Sequence, residues 1–101
     1  MPVDVFAALA SPVRRDLVAL LLDGPRPVGD LAAHFDMSRP SVSEHLKVLK
    51  DAGLVSERRN GRHRLYQLEP GPFHELSDWL APYERFWRGR LAALRDLLEE
   101  L

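Results

Sequence analysis

The chain has 101 residues, of which 46% are hydrophobic, and its net charge is −1 at pH 7; these values predict one folded domain over residues 1–101 rather than a disordered chain. Because it contains no cysteine, disulfides, thiolate metal sites and cysteine nucleophiles are excluded, which suits a reducing compartment. No basic segment precedes the apolar run at the N-terminus, and no apolar run approaches the ~20 residues of a membrane-spanning helix, so we expect a cytoplasmic protein without a membrane partner.

The small net charge hides an uneven distribution along the chain. Residues 38–64 contain seven Lys or Arg against three acids, so this segment carries +4 and the remainder carries −5. A basic region on an acidic body is the electrostatic pattern of a protein with a local polyanion partner.

The first third of the chain is predicted to form three short helices. Residues 4–10 carry an apolar stripe of Val5, Phe6 and Leu9. A second helix begins after Ser11-Pro12, a favourable N-cap followed by a first-turn proline, and ends at Gly24-Pro25. A third, shorter helix lies within "RPVGDLAAHF".

The stretch "SRPSVSEHLKVLKDAGLV" has a marked start and a marked stop. Ser38 is placed to cap a helix whose first turn contains a proline, and Gly53 is placed to end it. Val42, Leu46 and Leu49 recur at the spacing of one buried helical stripe. A helix over residues 39–52 follows the third helix after a very short turn, so the sequence predicts a helix-turn-helix over 28–53.

Two short β-prone runs, "LVSERR" and "HRLYQL", follow this helix and are joined at Asn60-Gly61. Asn-Gly between such runs is a strong signal for a tight hairpin. Residues 54–68 are therefore predicted to form a basic hairpin, the wing, with Arg62 at or near its tip.

The tail from residue 72 has apolar residues at every third or fourth position. Because Pro82 interrupts this pattern, we expect a break at about residue 81, between helices at about 72–80 and 82–100. The predicted fold is thus mainly α with a small β-hairpin (α+β), a winged helix-turn-helix in the order α-α-α-α-β-β-α(α).

In a winged helix-turn-helix the second helix of the pair lies in the DNA major groove. The N-terminal turns approach base edges, where Arg39 suits guanine and Glu44 suits cytosine, while Lys47 and Lys50 suit phosphates. Arg62 suits a narrow minor groove. The predicted DNA-binding residues are Ser38, Arg39, Ser41, Ser43, Glu44, Lys47, Lys50, Arg58, Arg62, His63 and Arg64.

Two other functions compete with DNA binding as interpretations of this sequence. A basic helix face is often only solvated and a basic hairpin is often a protected sheet edge, but their order along this chain favours DNA. The main alternative is a winged-helix module that binds protein or RNA without operator specificity. An enzyme is not expected, because no Ser/His/acid set or phosphate loop is legible, and Ser43 and His45 do not face one another on a helix.

Three segments, "LASPVRRDLVALL", "SRPSVSEHLKVLKDAGLV" and "RRNGRHRLYQL", resemble the ArsR–SmtB family of bacterial transcriptional repressors, and the likeness covers about two-thirds of the chain. The resemblance implies a homodimer that binds a palindromic operator on double-stranded DNA and releases it on a signal. It also implies dimerisation through the first and last helices, residues 4–10 and 72–101. The implied interface residues are Val5, Phe6, Leu9, Trp79, Leu80, Tyr83, Trp87, Leu91, Leu94 and Leu98.

The metal sensors of that family use a cysteine pair in the third helix, where this chain has "PVGDLAAHF". Zinc sensors use Asp and His ligands on the last helix, which His74, Glu75 and Asp78 match only in part, since no second histidine follows. The tail therefore resembles a non-metal branch, with no metal and no cofactor, and its aromatic residues favour a dimer core over a ligand cage. Three explanations of how the operator is released remain open: a small-molecule effector, a partner, and simple autoregulation by concentration.

Overall fold

The computed structural model describes residues 4–100, so residues 1–3 and Leu101 of the predicted domain and tail lie outside the described part. Five α-helices, one 3-10 turn and three strands succeed one another along it. In chain order they are α1 (Val5–Ala8), α2 (Pro12–Leu20), the 3-10 turn (Leu21–Asp23), β1 (Arg26–Pro27), α3 (Val28–Ala32), α4 (Arg39–Asp51), β2 (Val55–Asn60), β3 (His63–Leu68) and α5 (Gly71–Glu99).

Helix α4 has the start, stop and buried face that the sequence predicts. The Ser38 hydroxyl accepts a hydrogen bond from the Ser41 backbone N–H at 3.3 Å, which satisfies one of the free donors of the first turn. The buried residues are Val42, Leu46 and Leu49. Past the last turn, Gly53 has φ 78°, a left-handed conformation that glycine adopts without steric cost.

The three strands form an antiparallel sheet in the order β1-β3-β2. The sequence predicted only the β2–β3 hairpin, and the two-residue strand β1, with Arg26 opposite Tyr66, was missed. The hairpin joint is also shifted by one residue, because Asn60 still pairs with His63 and the turn consists of Gly61 and Arg62. Gly61 takes φ 63° there, the positive φ that a two-residue hairpin turn requires at its first position.

Helix α5 is continuous, so the predicted break before Pro82 is wrong. Proline removes one backbone hydrogen bond, the one that the Asp78 carbonyl would accept in a regular helix. Both residues are exposed, so the freed carbonyl is not buried without a partner and the helix continues past the proline.

The hydrophobic core is built from the first four helices and the start of the hairpin. Its buried members are Val5, Ala8, Leu17, Leu21, Leu31, Val42, Leu46, Leu49, Leu54 and Val55. Helix α5 adds no fully buried residue. The radius of gyration is 17.9 Å, against about 13 Å for a compact domain of this length, because the C-terminal part of α5 extends beyond the body.

Candidate nucleic-acid interface

The outer face of α4 presents most of the predicted DNA-binding residues to solvent. Ser38, Arg39, Ser43 and Glu44 are exposed in the first two turns, and Ser41 is half-buried, with its hydroxyl 2.9 Å from that of Ser38. The first two turns therefore offer an arginine, three hydroxyls and a carboxylate to a ligand, a set that can read base edges.

Three of the predicted cations already have acidic partners. Lys47 Nζ lies 3.0 Å from Asp51 Oδ2 one turn along α4. Glu57 takes two, with Oε2 at 3.7 Å from Lys50 Nζ and Oε1 at 3.4 Å from Arg64 Nη1. Within residues 4–100 no carboxylate lies within 4.0 Å of the basic groups of Arg39, Arg58, Arg59 and Arg62.

The strand register sorts the wing side chains onto two faces, because successive side chains of a strand point to opposite sides. The face that continues from buried Val55 towards α4, here called the inner face, carries Glu57 and Arg59 of β2 with Arg64 and Tyr66 of β3. Arg58 and His63 lie on the opposite face.

The sequence interpretation chose Arg58 and omitted Arg59. Counting the alternation from Val55, which the hydrophobic pattern marks as buried, finds Arg59 on the inner face. It lies directly opposite Arg64 in the hairpin register. Arg62, in the turn itself, is exposed at the tip as expected.

Glu57 connects the wing to the last turn of α4. Its side chain is only 20% exposed, whereas Lys50 and Arg64 are mostly in solvent. The pKa of Tyr66 is raised by its partial burial and, secondly, by the neighbouring Glu57 carboxylate, whose negative charge opposes ionisation of the phenol. The fold thus favours the neutral form of the tyrosine.

Arg14 connects α1 to the middle of α4. Its Nε donates to the Ala8 carbonyl and its Nη2 to the Ala7 carbonyl at 3.3 Å, which caps the end of α1. Its Nη1 lies 3.2 Å from His45 Nδ1. Because a guanidinium only donates, Nδ1 accepts here and the ring proton resides on Nε2. No local pattern in the sequence indicates this link, because the two residues lie far apart in the chain.

The predicted interface residues divide into two groups. Val5 is 5% exposed and lies in the core of its own protomer, so it has little surface left for a partner, and Leu9 is half-buried against that core. The α5 residues form a continuous apolar stripe whose large side chains are 48–62% exposed from Tyr83 onwards. The stripe begins at an aromatic cluster in which Trp79 packs against Phe6 and Tyr83, with ring centroids 5.4 and 4.9 Å apart.

Two further features bear on ligands. Within residues 4–100 no group of three or more His, Cys, Asp or Glu is arranged to hold a metal ion, and none of the helices described there is long and apolar enough to cross a bilayer. A groove of about 510 Å³ lies between the 3-10 turn, the end of β3 and the start of α5. Its lining residues are Leu22, Leu68, Pro70, Phe73, His74 and Ser77.

Comparison with known proteins identifies the same architecture. Residues 11–57 match the model of bacterial regulatory proteins of the ArsR family. The chain is 43% identical over 98 residues to the HTH-type transcriptional regulator Rv2034 of Mycobacterium tuberculosis, with 97% of this chain and 89% of that protein covered. It is 38% identical to the transcriptional repressor SdpR of Bacillus subtilis, with 76% and 86% covered.

A solved structure agrees with the fold as well. The homodimeric winged helix-turn-helix DNA-binding domain Mb0332 of Mycobacterium bovis, a possible ArsR-family transcriptional regulator, superposes with a TM-score of 0.65 at 28% identity, over 79% of this chain and 75% of that one. The predicted fold class and the family resemblance are therefore confirmed. On these grounds, together with the exposed α4 and the basic wing, the chain belongs to the ArsR family and is a winged-helix, DNA-binding transcriptional regulator of the repressor type.

Proposed function

We propose that the protein represses transcription in the bacterial cytoplasm as a homodimer on a palindromic operator, with α4 in the major groove and the wing at the adjacent minor groove. The observation that supports this most directly is the contact between the last turn of α4 and the inner face of the wing. Glu57 pairs with Lys50 of α4 and with Arg64 of the wing, so the two elements lie side by side. A duplex that lies along one of them therefore meets the other.

In this arrangement the first two turns of α4 read bases. Arg39 has no acidic partner within the described residues, so its guanidinium is available for a bidentate bond to guanine. Glu44 accepts from cytosine N4 or repels phosphates at wrong registers. Ser38, Ser41 and Ser43 bond phosphate or base edges near the helix N-terminus, where the dipole favours an anion.

The cations further along bind phosphates. Lys47 and Lys50 on α4 and Arg64 on the wing exchange their carboxylate partners for phosphate oxygens, at little cost because exposed ion pairs are weak. Arg59 joins this set from the inner face. Arg62 at the tip enters the minor groove, with Arg58 and His63 on the other face contacting the flanking backbone.

The dimer forms through α5 and the exposed aromatic ring of Phe6. A stripe of large apolar side chains that is half exposed over several turns exceeds what a small monomer leaves in water, and a second copy covers it with an identical stripe. The homodimeric relative from Mycobacterium bovis supports the same assembly. Two α4 helices then lie about one DNA turn apart, roughly 34 Å.

Sedimentation of Leu94→Asp tests this interface. A carboxylate in the centre of the apolar stripe is desolvated on association without a partner, so we expect the variant to sediment as a monomer. Leu22→Asp is the matched control, because Leu22 is 76% exposed but lies outside α5. A dimeric Leu94→Asp protein, or equal disruption by both variants, would contradict the α5 interface.

Footprinting on the DNA that flanks its own gene, followed by titration of the protected fragment against bulk DNA, tests the function itself. We expect two protected half-sites and a preference of at least ~10³-fold at physiological salt. Binding of RNA or protein with no preferred DNA fragment would instead support the interaction-module alternative.

The groove beside Leu22 is the site we propose for a small apolar effector. Its volume of about 510 Å³ falls within the range of small-molecule sites, and His74 and Ser77 supply polar groups at its rim. The groove joins the end of the wing strand to the start of α5, so a ligand there contacts both the DNA-binding and the dimer elements. Release of the footprint by an apolar cell extract, abolished in Phe73→Asp, is the expected result.

A further inference from the structure

We propose that Glu57 is a specificity-determining positioning residue, which confines Lys50 and Arg64 to the cleft between α4 and the wing so that only fully seated DNA reaches them. This inference rests on the proposed function, because it requires that the two cations bind phosphate. It assigns a role to an acidic residue on a surface that is otherwise mostly basic.

Glu57 is the least exposed of the three charged side chains that meet in the cleft. It is 20% exposed and lies across the hairpin from Tyr66. Each of its oxygens serves a different element, Oε2 the Lys50 ammonium at 3.7 Å and Oε1 the Arg64 guanidinium at 3.4 Å. One partly buried carboxylate therefore contacts two long side chains from two elements.

The two cations are held loosely by comparison. Lys50 is 52% and Arg64 62% exposed, and both distances exceed the 2.7–2.9 Å typical of a charge-assisted hydrogen bond. A phosphate that enters the cleft can therefore take these cations with little loss. A phosphate outside the cleft gains less from them, because both side chains must also extend away from Glu57 and out of the cleft to reach it.

The cleft retains positive charge even with Glu57 in place. Arg59 lies directly opposite Arg64 on the inner face, and like charges in that position repel one another. Two cations thus contact a single carboxylate and a third lies on the same face, an excess that favours an anion between α4 and the wing. Without Glu57 the same cations would be free to extend outwards to any nearby backbone.

This geometry separates the two modes of DNA binding. Non-specific complexes are held almost wholly by phosphate contacts at the protein surface, so they lose the cations that Glu57 retains in the cleft. The operator complex seats α4 in the groove and brings phosphates into the cleft, where the cations are already positioned. Glu57 thereby raises the ratio of operator to non-specific affinity.

Glu57→Gln tests the proposal in the full-length protein, with affinity measured between 50 and 200 mM salt on the footprinted operator and on a scrambled duplex. We expect non-specific affinity to rise on the order of 10-fold with a salt slope steeper by about one to two units, and operator affinity to change less than about 3-fold. Asp51→Asn is the matched control, since it removes the same charge and frees Lys47 on the same helix. It should leave the ratio of the two affinities nearly unchanged.

A second comparison keeps the test valid if the amide substitution alters folding. In the Lys50→Gln/Arg64→Gln background, Glu57 has no cation to retain, so adding Glu57→Gln should no longer raise non-specific affinity. Equal gains on both duplexes, a gain matched by Asp51→Asn, or no gain at all would overturn the inference while the wild-type preference for its operator leaves the proposed function intact. A wild-type protein without any operator preference would instead refute the proposed function.

Discussion

Replacing Arg62 with alanine isolates the contribution of the wing tip. Arg62 is the second residue of the two-residue hairpin turn and is exposed. No acidic group of the described chain lies within 4.0 Å of its guanidinium. The substitution therefore removes one free cation without breaking an ion pair or opening the core, so its effect on DNA binding is electrostatic.

The size of the effect follows from counterion release. If Arg62 neutralises one phosphate, its loss makes the slope of log K against log salt less negative by about 0.9. Over the fourfold range from 50 to 200 mM salt, wild type then loses about 3.5-fold more affinity than the variant. The affinity of the variant should lie further below that of wild type at 50 mM salt than at 200 mM salt, because the contact is strongest at the lowest salt.

Fluorescence anisotropy on a labelled operator duplex measures both quantities in one series of salt concentrations. Arg95→Ala is the matched control, because it removes an identical charge from exposed α5, far from the wing. Parallel slopes for wild type and Arg62→Ala, or the same change of slope in Arg95→Ala, would refute a phosphate contact by the wing tip.

Three other substitutions test separate parts of the structure. Ser38→Ala removes the cap on the Ser41 N–H and should cost about 1 kcal/mol of unfolding free energy, seen as a thermal midpoint lower by about 4–8 °C in circular dichroism. Arg39→Ala should cost about 1–3 kcal/mol of operator binding and relax preference at one base pair, measured on duplexes substituted position by position. The raised pKa of Tyr66 means that the fold stabilises its neutral form. This stabilisation is complete below the pKa of about 10 that tyrosine has in the unfolded chain. It is lost as the pH rises through the higher pKa of Tyr66 in the folded chain. We therefore expect urea unfolding of the wild type to show a loss of stability at alkaline pH, and Tyr66→Phe to lack that loss.

The DNA-reading helix could be predicted almost completely from the sequence. Its cap at Ser38, its glycine at position 53 and its buried stripe are local signals, each expressed within a few residues of the chain. The structure places the helix end within one residue of the prediction. Local chemistry decides these features, so a single sequence contains them.

Features that depend on distant neighbours were missed. Strand β1 is two residues long and has no pattern of its own, and it exists because the edge of β3 offers hydrogen bonds to Arg26 and Pro27. The place of Arg59 opposite Arg64 depends on how the two strands pair. The Glu57 contacts join residues on three elements, and no spacing rule connects them.

The predicted break in the tail failed for a different reason. The cost of an interior proline depends on whether the carbonyl it frees finds another partner. At Pro82 that carbonyl lies on the solvent side, whereas the residues on the opposite side continue the apolar stripe. Sequence periodicity on both sides of the proline was the better guide than the proline itself.

The bonds of Arg14 bear on the distance between the half-sites of the proposed operator. They tie the C-terminal carbonyls of α1 to His45 in α4, so each α4 keeps a fixed offset from the two-fold axis when α1 lies beside the dimer contact. One extra base pair between half-sites rotates the second of them by about 35° around the duplex. A dimer braced in this way cannot follow that rotation, so a library that varies only the spacer should show a single sharp optimum, broadened when Arg14 is replaced by alanine.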